Sequence, residues 1–271
     1  MLADLSPARR RFVLGSAGLA LLAVLVVAVV LAARSREAPV VPAAQDEPGT
    51  VLLVPGYGGG TDALEVLAAA LRDAGRVASI VDPPGDGTGD LPEQARHLAE
   101  VAERAMADDG AGSVDVVGYS AGGVVARLWV EDPAAASVVR RVVTLASPHH
   151  GSDLAALARG LVPGACSSAC RQLAPDSDLL RTLNAHDETP DGPLWVTIWT
   201  TDDQTVVPPT SGRLEGALGF SVQSVCPGLT VTHADLPRTP AVVAMTLAAL
   251  GTAEPAVPDG AVCRPGSQPG S

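Results

Sequence analysis

Apolar and polar positions divide the chain into short β-branched runs separated by longer stretches with helical spacing. Thr50–Val54 is continuously apolar, which suits a central strand buried on both faces. Further runs predict strands at Val77–Val81, from Ser113 into the turn at Gly118, at Val139–Leu145, at Leu194–Thr200 and at Phe220–Val225. Helical spacing appears from Asp62 to about Ala74, with Asp62 and Glu65 placed as a capping box, and from Pro92 to about Asp109, with Leu98, Val101 and Ala102 on one stripe. It returns from residue 120 to a stop at Asp132-Pro133, and again over Ala241–Leu250. Strands alternating with helices predict an α/β domain over residues 50–250, with a mostly parallel sheet and helices on both faces. Sites in such sheets lie beyond the C-terminal strand ends. Residues 151–190 carry few periodic runs and predict short helices and loops, part of which is expected to cover the site.

The two ends of the chain read differently. Phe12–Ala33 is a run of 22 uncharged residues preceded by Arg9, Arg10 and Arg11. As a helix it is about 33 Å long, enough for a hydrocarbon core of about 30 Å. Residues 1–36 therefore predict a cytoplasmic end and a transmembrane anchor, with the folded domain outside the cytoplasm; secretion after cleavage near Ala32 or Ala33 is the alternative. Residues 37–49, with Pro39, Pro42 and Pro48, predict an extended spacer, and residues 251–271 a Pro- and Gly-rich tail. Cys166, Cys170, Cys226 and Cys263 are even in number and contain no Cys-x-x-Cys pair. Of their three pairings we expect Cys166 with Cys170 and Cys226 with Cys263, the second tethering the tail in an oxidising compartment.

Charge and loops exclude several classes of partner. The 271 residues carry a net charge of −12, which disfavours nucleic acid. The loop from Asp82 to Asp90 has three Asp but neither the spacing nor the closing Glu of a calcium loop, and no Gly-Lys-Ser/Thr follows for phosphate.

The chemistry centres on Val114-Asp115-Val116-Val117-Gly118-Tyr119-Ser120-Ala121-Gly122-Gly123. Strand, Gly-x-Ser-x-Gly and helix in that order form a nucleophile elbow, a sharp turn that lifts the Ser120 hydroxyl above the sheet edge. A serine needs a positioned base and a carboxylate behind that base. The five histidines are His97, His149, His150, His186 and His233. The order nucleophile, acid, base favours His233, after the last strand; His149 and His150 follow a strand and are placed to line the site. The acid is expected at the end of the Leu194–Thr200 strand, where Asp202 and Asp203 both stand.

With these residues the chain resembles the α/β-hydrolase superfamily, and within it the small bacterial lipases often called class 2, over roughly residues 50–250. The resemblance rests on the elbow, on Pro55-Gly56-Tyr57-Gly58-Gly59-Gly60 and on Thr200-Thr201-Asp202-Asp203-Gln204-Thr205-Val206-Val207. It implies an α/β-hydrolase fold and cleavage of carboxylic esters through an acyl-enzyme, with Ser120 as nucleophile, His233 as base and Asp203 as acid. It also implies an oxyanion hole from the backbone N–H groups of Tyr57 and Ala121, although Pro55 stands where the family commonly has His. Ser147-Pro148-His149-His150-Gly151-Ser152 is similar to a segment that shapes the site in related lipases; His149 in that segment and Tyr119 in the elbow are expected beside the substrate. We expect a monomer acting on a small-molecule or lipid ester, with no need of a metal or organic cofactor. Thioester or amide hydrolysis by the same three residues, or a non-catalytic binding module at the cell surface, are the competing readings.

Overall fold

Val51 and Leu53 face one side of the first strand and Leu52 and Val54 the other, and both sides are buried. That two-sided burial is why the run is apolar without alternation. In the computed structural model, which describes residues 15–16, 18–27, 40–161, 164 and 166–264, this strand, β1 (Thr50–Val54), lies inside a six-stranded sheet. The others are β2 (Ala78–Ile80), β3 (Val114–Tyr119), β4 (Val139–Leu145), β5 (Leu194–Trp199) and β6 (Leu218–Ser221). All neighbours are parallel, in the order β2-β1-β3-β4-β5-β6.

Helices cover both faces. Leu91 and Leu98 of α2 (Leu91–Asp109) and Val124 and Trp129 of α3 (Ala121–Val130) pack on one face. Leu64, Leu67 and Leu71 of α1 (Asp62–Asp73) pack on the other, with Val242 and Met245 of α9 (Pro240–Ala249). The chain runs from β1 outward to β2 and then back past β1 to β3. This reversal opens a crevice at the C-terminal ends of β1 and β3, where the Gly-rich loop and Ser120 both emerge.

Several boundaries differ from expectation for local reasons. Thr61 precedes α1 and makes no side-chain cap bond, so Asp62 and Glu65 stand in the first turn, facing the positive end of the helix dipole, rather than forming a capping box. The true cap is on α2, where Asp90 accepts from the Glu93 N–H. Asp132-Pro133 does not simply stop a helix. Asp132 caps a new short one, α4 (Pro133–Val138), through the Ala134 N–H. The last strand lies earlier than Phe220–Val225, because the Ser221 hydroxyl accepts from the Ser224 N–H and turns Val222–Val225 into a one-turn helix, α8. Among the described residues between β4 and β5 stand three short helices, α5 (Asp153–Leu161), α6 (Ser168–Gln172) and α7 (Asp178–Leu183).

The chain separates into a unit of residues 1–39 and one of residues 40–271. Most of the expected anchor, Phe12–Ala33, lies outside the described residues. Residues 15–16 and 18–27 are helical and exposed, and no helix among the described residues is long and apolar enough to cross a membrane. The second half of the expected spacer is part of the folded unit: the Gln45 amide donates to Arg140 O at 3.1 Å, and Gln45 O accepts from Arg140 Nη1 at 2.9 Å.

The end of the sheet opposite the crevice is held by charge. Asp115 Oδ2, fully buried, accepts from Arg76 Nη2 and Arg140 Nη2, each at 2.5 Å. Arg140 also donates to Leu250 O and Gly251 O, and Arg141 to Ala249 O and Ala253 O, which sets guanidinium groups at the negative end of α9. Disulfides join Cys166 to Cys170 and Cys226 to Cys263, the latter tying the tail to the end of α8.

Candidate active site

Ser120 sits between β3 and α3 with φ 52° and ψ −125°, a backbone conformation that costs a non-glycine residue on the order of 1–3 kcal/mol. The Ser120 N–H is held by Leu145 O at the end of β4, at 2.8 Å. The turn needs small neighbours. A Cβ on Gly122 would lie 2.2 Å from Val54 O, and one on Gly56 would lie 2.9 Å from the Ser120 Cβ. Glycine at these two places lets α3 start against the end of β1 and lets the Pro55–Gly60 loop close over the serine.

His233 lies in an irregular loop after α8, and its ring meets both partners. Nδ1 is 2.7 Å from Asp203 Oδ2, and Nε2 is 3.0 Å from Ser120 Oγ. A carboxylate can only accept, so Nδ1–H donates to it and leaves Nε2 as the acceptor for the serine hydroxyl. The other Asp203 oxygen, Oδ1, accepts from the backbone N–H groups of Thr205 and Val206, both at 2.8 Å. Those two donors come from a turn just beyond β5, so the strand end aims the carboxylate. Asp202, its neighbour, points elsewhere: Oδ2 accepts from Gln223 Nε2 at 3.0 Å and from the Val231 N–H at 3.1 Å.

Beside Ser120 opens a cleft of about 350 Å³ with a largely apolar wall from Leu154, Ala155, Ala158, Leu173 and Val206. The Cys166–Cys170 disulfide forms part of the same wall. Tyr57 stands half-exposed at the rim, its hydroxyl 3.1 Å from Ser167 Oγ on the turn that the disulfide closes. Its N–H belongs to the loop that Gly56 brings against Ser120, while the Ala121 N–H is at the start of α3.

The two residues expected beside a substrate are placed elsewhere. His149 is fully buried and pairs through Nε2 with Thr144 Oγ1 at 3.1 Å, so it supports β4 from inside. Burial, reinforced by the Arg127 and His150 charges, holds its imidazole well below the ordinary value of 6.5. Tyr119 lies behind the histidine: its ring centroid is 5.2 Å from that of His233, and its hydroxyl donates to His233 O at 3.1 Å. Burial, then the negative charge of Asp203, pushes the phenol up to about 12, so it remains a donor. Neither lines the cleft. His150 pairs with Glu188 at 2.7 Å, His97 stands near Glu100 on α2, and His186 is exposed. None of these three meets Ser120.

Sequence reasoning missed the groups that hold the site from behind. Arg127, on α3 and 1 % exposed, donates to Asn184 Oδ1, Leu183 O and Glu188 O, joining α3 to the end of α7 and the segment that follows it. Burial lowers its guanidinium to about 10, partly offset by Glu188 and Glu131. An arginine inside the otherwise apolar run Ala121–Val130 was a visible signal. The partners of Gln223 were not, because they lie on other elements.

A family model described as the alpha/beta hydrolase fold matches residues 49–166. Among solved structures, Aspergillus fumigatus lipase B superposes with a TM-score of 0.65 at 20 % identity, over 75 % of this chain and 52 % of that one. This chain thus spans about half the length of that lipase. The mature form of Bacillus licheniformis lipase BlEst2 superposes with a TM-score of 0.56 at 19 % identity, over 74 % of this chain and 90 % of that one. Likenesses at such identities speak for the fold. No curated protein matches the sequence.

Proposed function

We propose that this chain, which belongs to the α/β-hydrolase superfamily, is a serine hydrolase of carboxylic esters in which Ser120, His233 and Asp203 act as one catalytic unit. The observation that carries the reading is the hydrogen-bonded line from a strained serine through an imidazole to a carboxylate, 3.0 and 2.7 Å long, beside an apolar cleft. Ser120 Oγ attacks the ester carbonyl carbon as its proton passes to His233 Nε2, and Asp203 stabilises the resulting imidazolium. The carbonyl oxygen becomes an oxyanion, stabilised by the N–H groups of Tyr57 and Ala121. The C–O bond to the alcohol then breaks, and the alcohol oxygen takes the proton from Nε2. Water repeats the sequence on the acyl-enzyme: His233 accepts its proton, the carboxylic acid leaves, and Ser120 recovers its hydrogen.

The cleft wall supports an acyl chain as the group bound beside the serine. Each methylene buried there contributes about 0.8 kcal/mol, so kcat/KM on p-nitrophenyl esters should rise about fourfold per added CH2 until the wall is covered. A flat series would remove the acyl chain from the cleft. The disulfides support a working place on an oxidising side of a membrane. N-terminal sequencing of the mature protein separates a chain anchored by its apolar N-terminal run from one cleaved between residues 33 and 46.

The decisive experiment is Ser120→Ala on p-nitrophenyl butyrate with fluorophosphonate labelling of the wild type. We expect a loss of at least about 10³-fold in the variant and covalent labelling of the parent at Ser120. An undiminished rate, or a parent that does not label, refutes the assignment.

A further inference from the structure

Two acidic residues follow each other at the end of β5, and only one of them reaches the imidazole. The other belongs to a cluster with Thr200 and Gln223 whose partners are almost all in the loop that carries His233. Val231, two residues before the histidine, is held at both backbone groups. Its N–H donates to Asp202 Oδ2 at 3.1 Å, and its carbonyl accepts from Thr200 Oγ1 at 2.7 Å. Gln223, on the one-turn helix α8, lies between them. Its Nε2 shares two hydrogens among three acceptors, Thr200 Oγ1 at 2.9 Å, Asp202 Oδ2 at 3.0 Å and Leu229 O at 3.1 Å, and its Oε1 accepts from the Thr201 N–H at 2.9 Å. The amide has one orientation that works. Reversed, it would set its NH2 against the Thr201 N–H and its oxygen against a carboxylate and a carbonyl.

We propose that Gln223, Thr200 and Asp202 are positioning residues that set the location of the general base; this rests on the reading of His233 as that base. The loop from Cys226 to Asp235 has neither helix nor strand to place it, so the bonds at Leu229 and Val231 define its path. Asp202 and Asp203 are adjacent on one strand end. One therefore anchors the backbone of the base while the other anchors its ring, and the two anchors move together. Tyr119 adds a third hold at His233 O, from the strand that bears the nucleophile. Nε2 reaches Ser120 Oγ because its loop is referred to the same sheet edge as the serine. A displacement of about 1 Å at that contact is enough to cost about 100-fold in rate.

The test is kcat and KM on p-nitrophenyl butyrate for Gln223→Leu, Thr200→Val, Asp202→Ala and Asp202→Asn, with the active fraction of each titrated by a fluorophosphonate. Gln223→Leu and Thr200→Val should each lower kcat about 10- to 100-fold per active site with KM changed less than about threefold. Asp202→Asn, which keeps an acceptor oxygen for Val231, should lose less than Asp202→Ala. If folded Gln223→Leu and Thr200→Val proteins keep kcat within about twofold, or if a lower active fraction accounts for the whole loss, the inference is overturned. It is overturned equally if Asp202→Asn falls as far as Asp202→Ala. Should Gln223→Leu fail to fold, Thr200→Val, which replaces the hydroxyl with a methyl of similar size, decides alone. A wild type that takes up no fluorophosphonate overturns the serine hydrolase reading itself; a labelled wild type with unaffected variants overturns only this inference.

Discussion

Replacing Asp203 by Asn exchanges one carboxylate oxygen for an NH2 group and, by the hydrogen bonds around it, changes the tautomer of the base. Oδ1 of Asp203 receives two backbone N–H donors, from Thr205 and Val206, at 2.8 Å each. The asparagine must keep its oxygen there, because turning its NH2 toward those donors sets donor against donor and leaves the buried Val206 N–H unpaired, at about 1–3 kcal/mol. Its NH2 then faces His233 Nδ1, 2.7 Å away in the parent, and requires that nitrogen to be an acceptor. The ring proton moves to Nε2, opposite Ser120 Oγ, where an acceptor is needed. The expected loss is about 10⁴-fold in kcat, with KM little changed, since the substrate cleft is untouched. That corresponds to about 5.4 kcal/mol of transition-state stabilisation. Initial rates on p-nitrophenyl butyrate measure it, with thermal melting to show that the variant is folded. A loss smaller than about tenfold, or a larger loss for Asp202→Asn than for Asp203→Asn, would refute the argument.

Three further outcomes follow from the structure. Asp115→Ala leaves Arg140 and much of Arg76 buried without their anion and should destabilise the fold by about 3–5 kcal/mol in urea unfolding; a change below about 1 kcal/mol would show that water or backbone carbonyls replace the carboxylate. His149 is neutral when folded and its imidazole is depressed, so below about pH 6.5 the unfolded chain binds the extra proton and stability falls as pH falls, by up to about 1.4 kcal/mol per unit. His149→Gln should flatten that slope, and an unchanged slope between pH 6.5 and 5 assigns it to other groups. Opening the Cys226–Cys263 bond by paired serine substitution removes a loop of 37 residues and should cost about 4 kcal/mol in the chain-entropy picture, against about 2 for Cys166–Cys170, four residues apart. Thermal or urea unfolding of the two paired variants gives the comparison, and an inverted order would show that strain or native contacts outweigh loop length.

Periodicity and local chemistry were sufficient for much of this protein. Val51–Val54 is apolar in both registers because both faces of that strand are buried, and a run of that kind reports its environment directly. The elbow around Ser120 is legible because strand, glycines and helix are consecutive. Local signals misled where two elements meet. Val222 and Val225 look like the end of a strand, but the Ser221 hydroxyl starts a helical turn there, and both valines are buried from it. His149 carries the composition of a site residue and a location inside the core, and no pattern along the chain records which way a side chain after a strand turns.

Residue types alone left Asp202 and Asp203 equivalent. Two N–H groups from the following turn hold the Asp203 carboxylate, and Gln223 with Val231 draws Asp202 toward the histidine loop. Those partners come from separate stretches of chain brought to one sheet edge by strand order. A sequence determines the elements because burial periodicity is local. Which carboxylate meets which imidazole is decided by packing, because hydrogen bonds of about 3 Å depend on where several distant segments end up together.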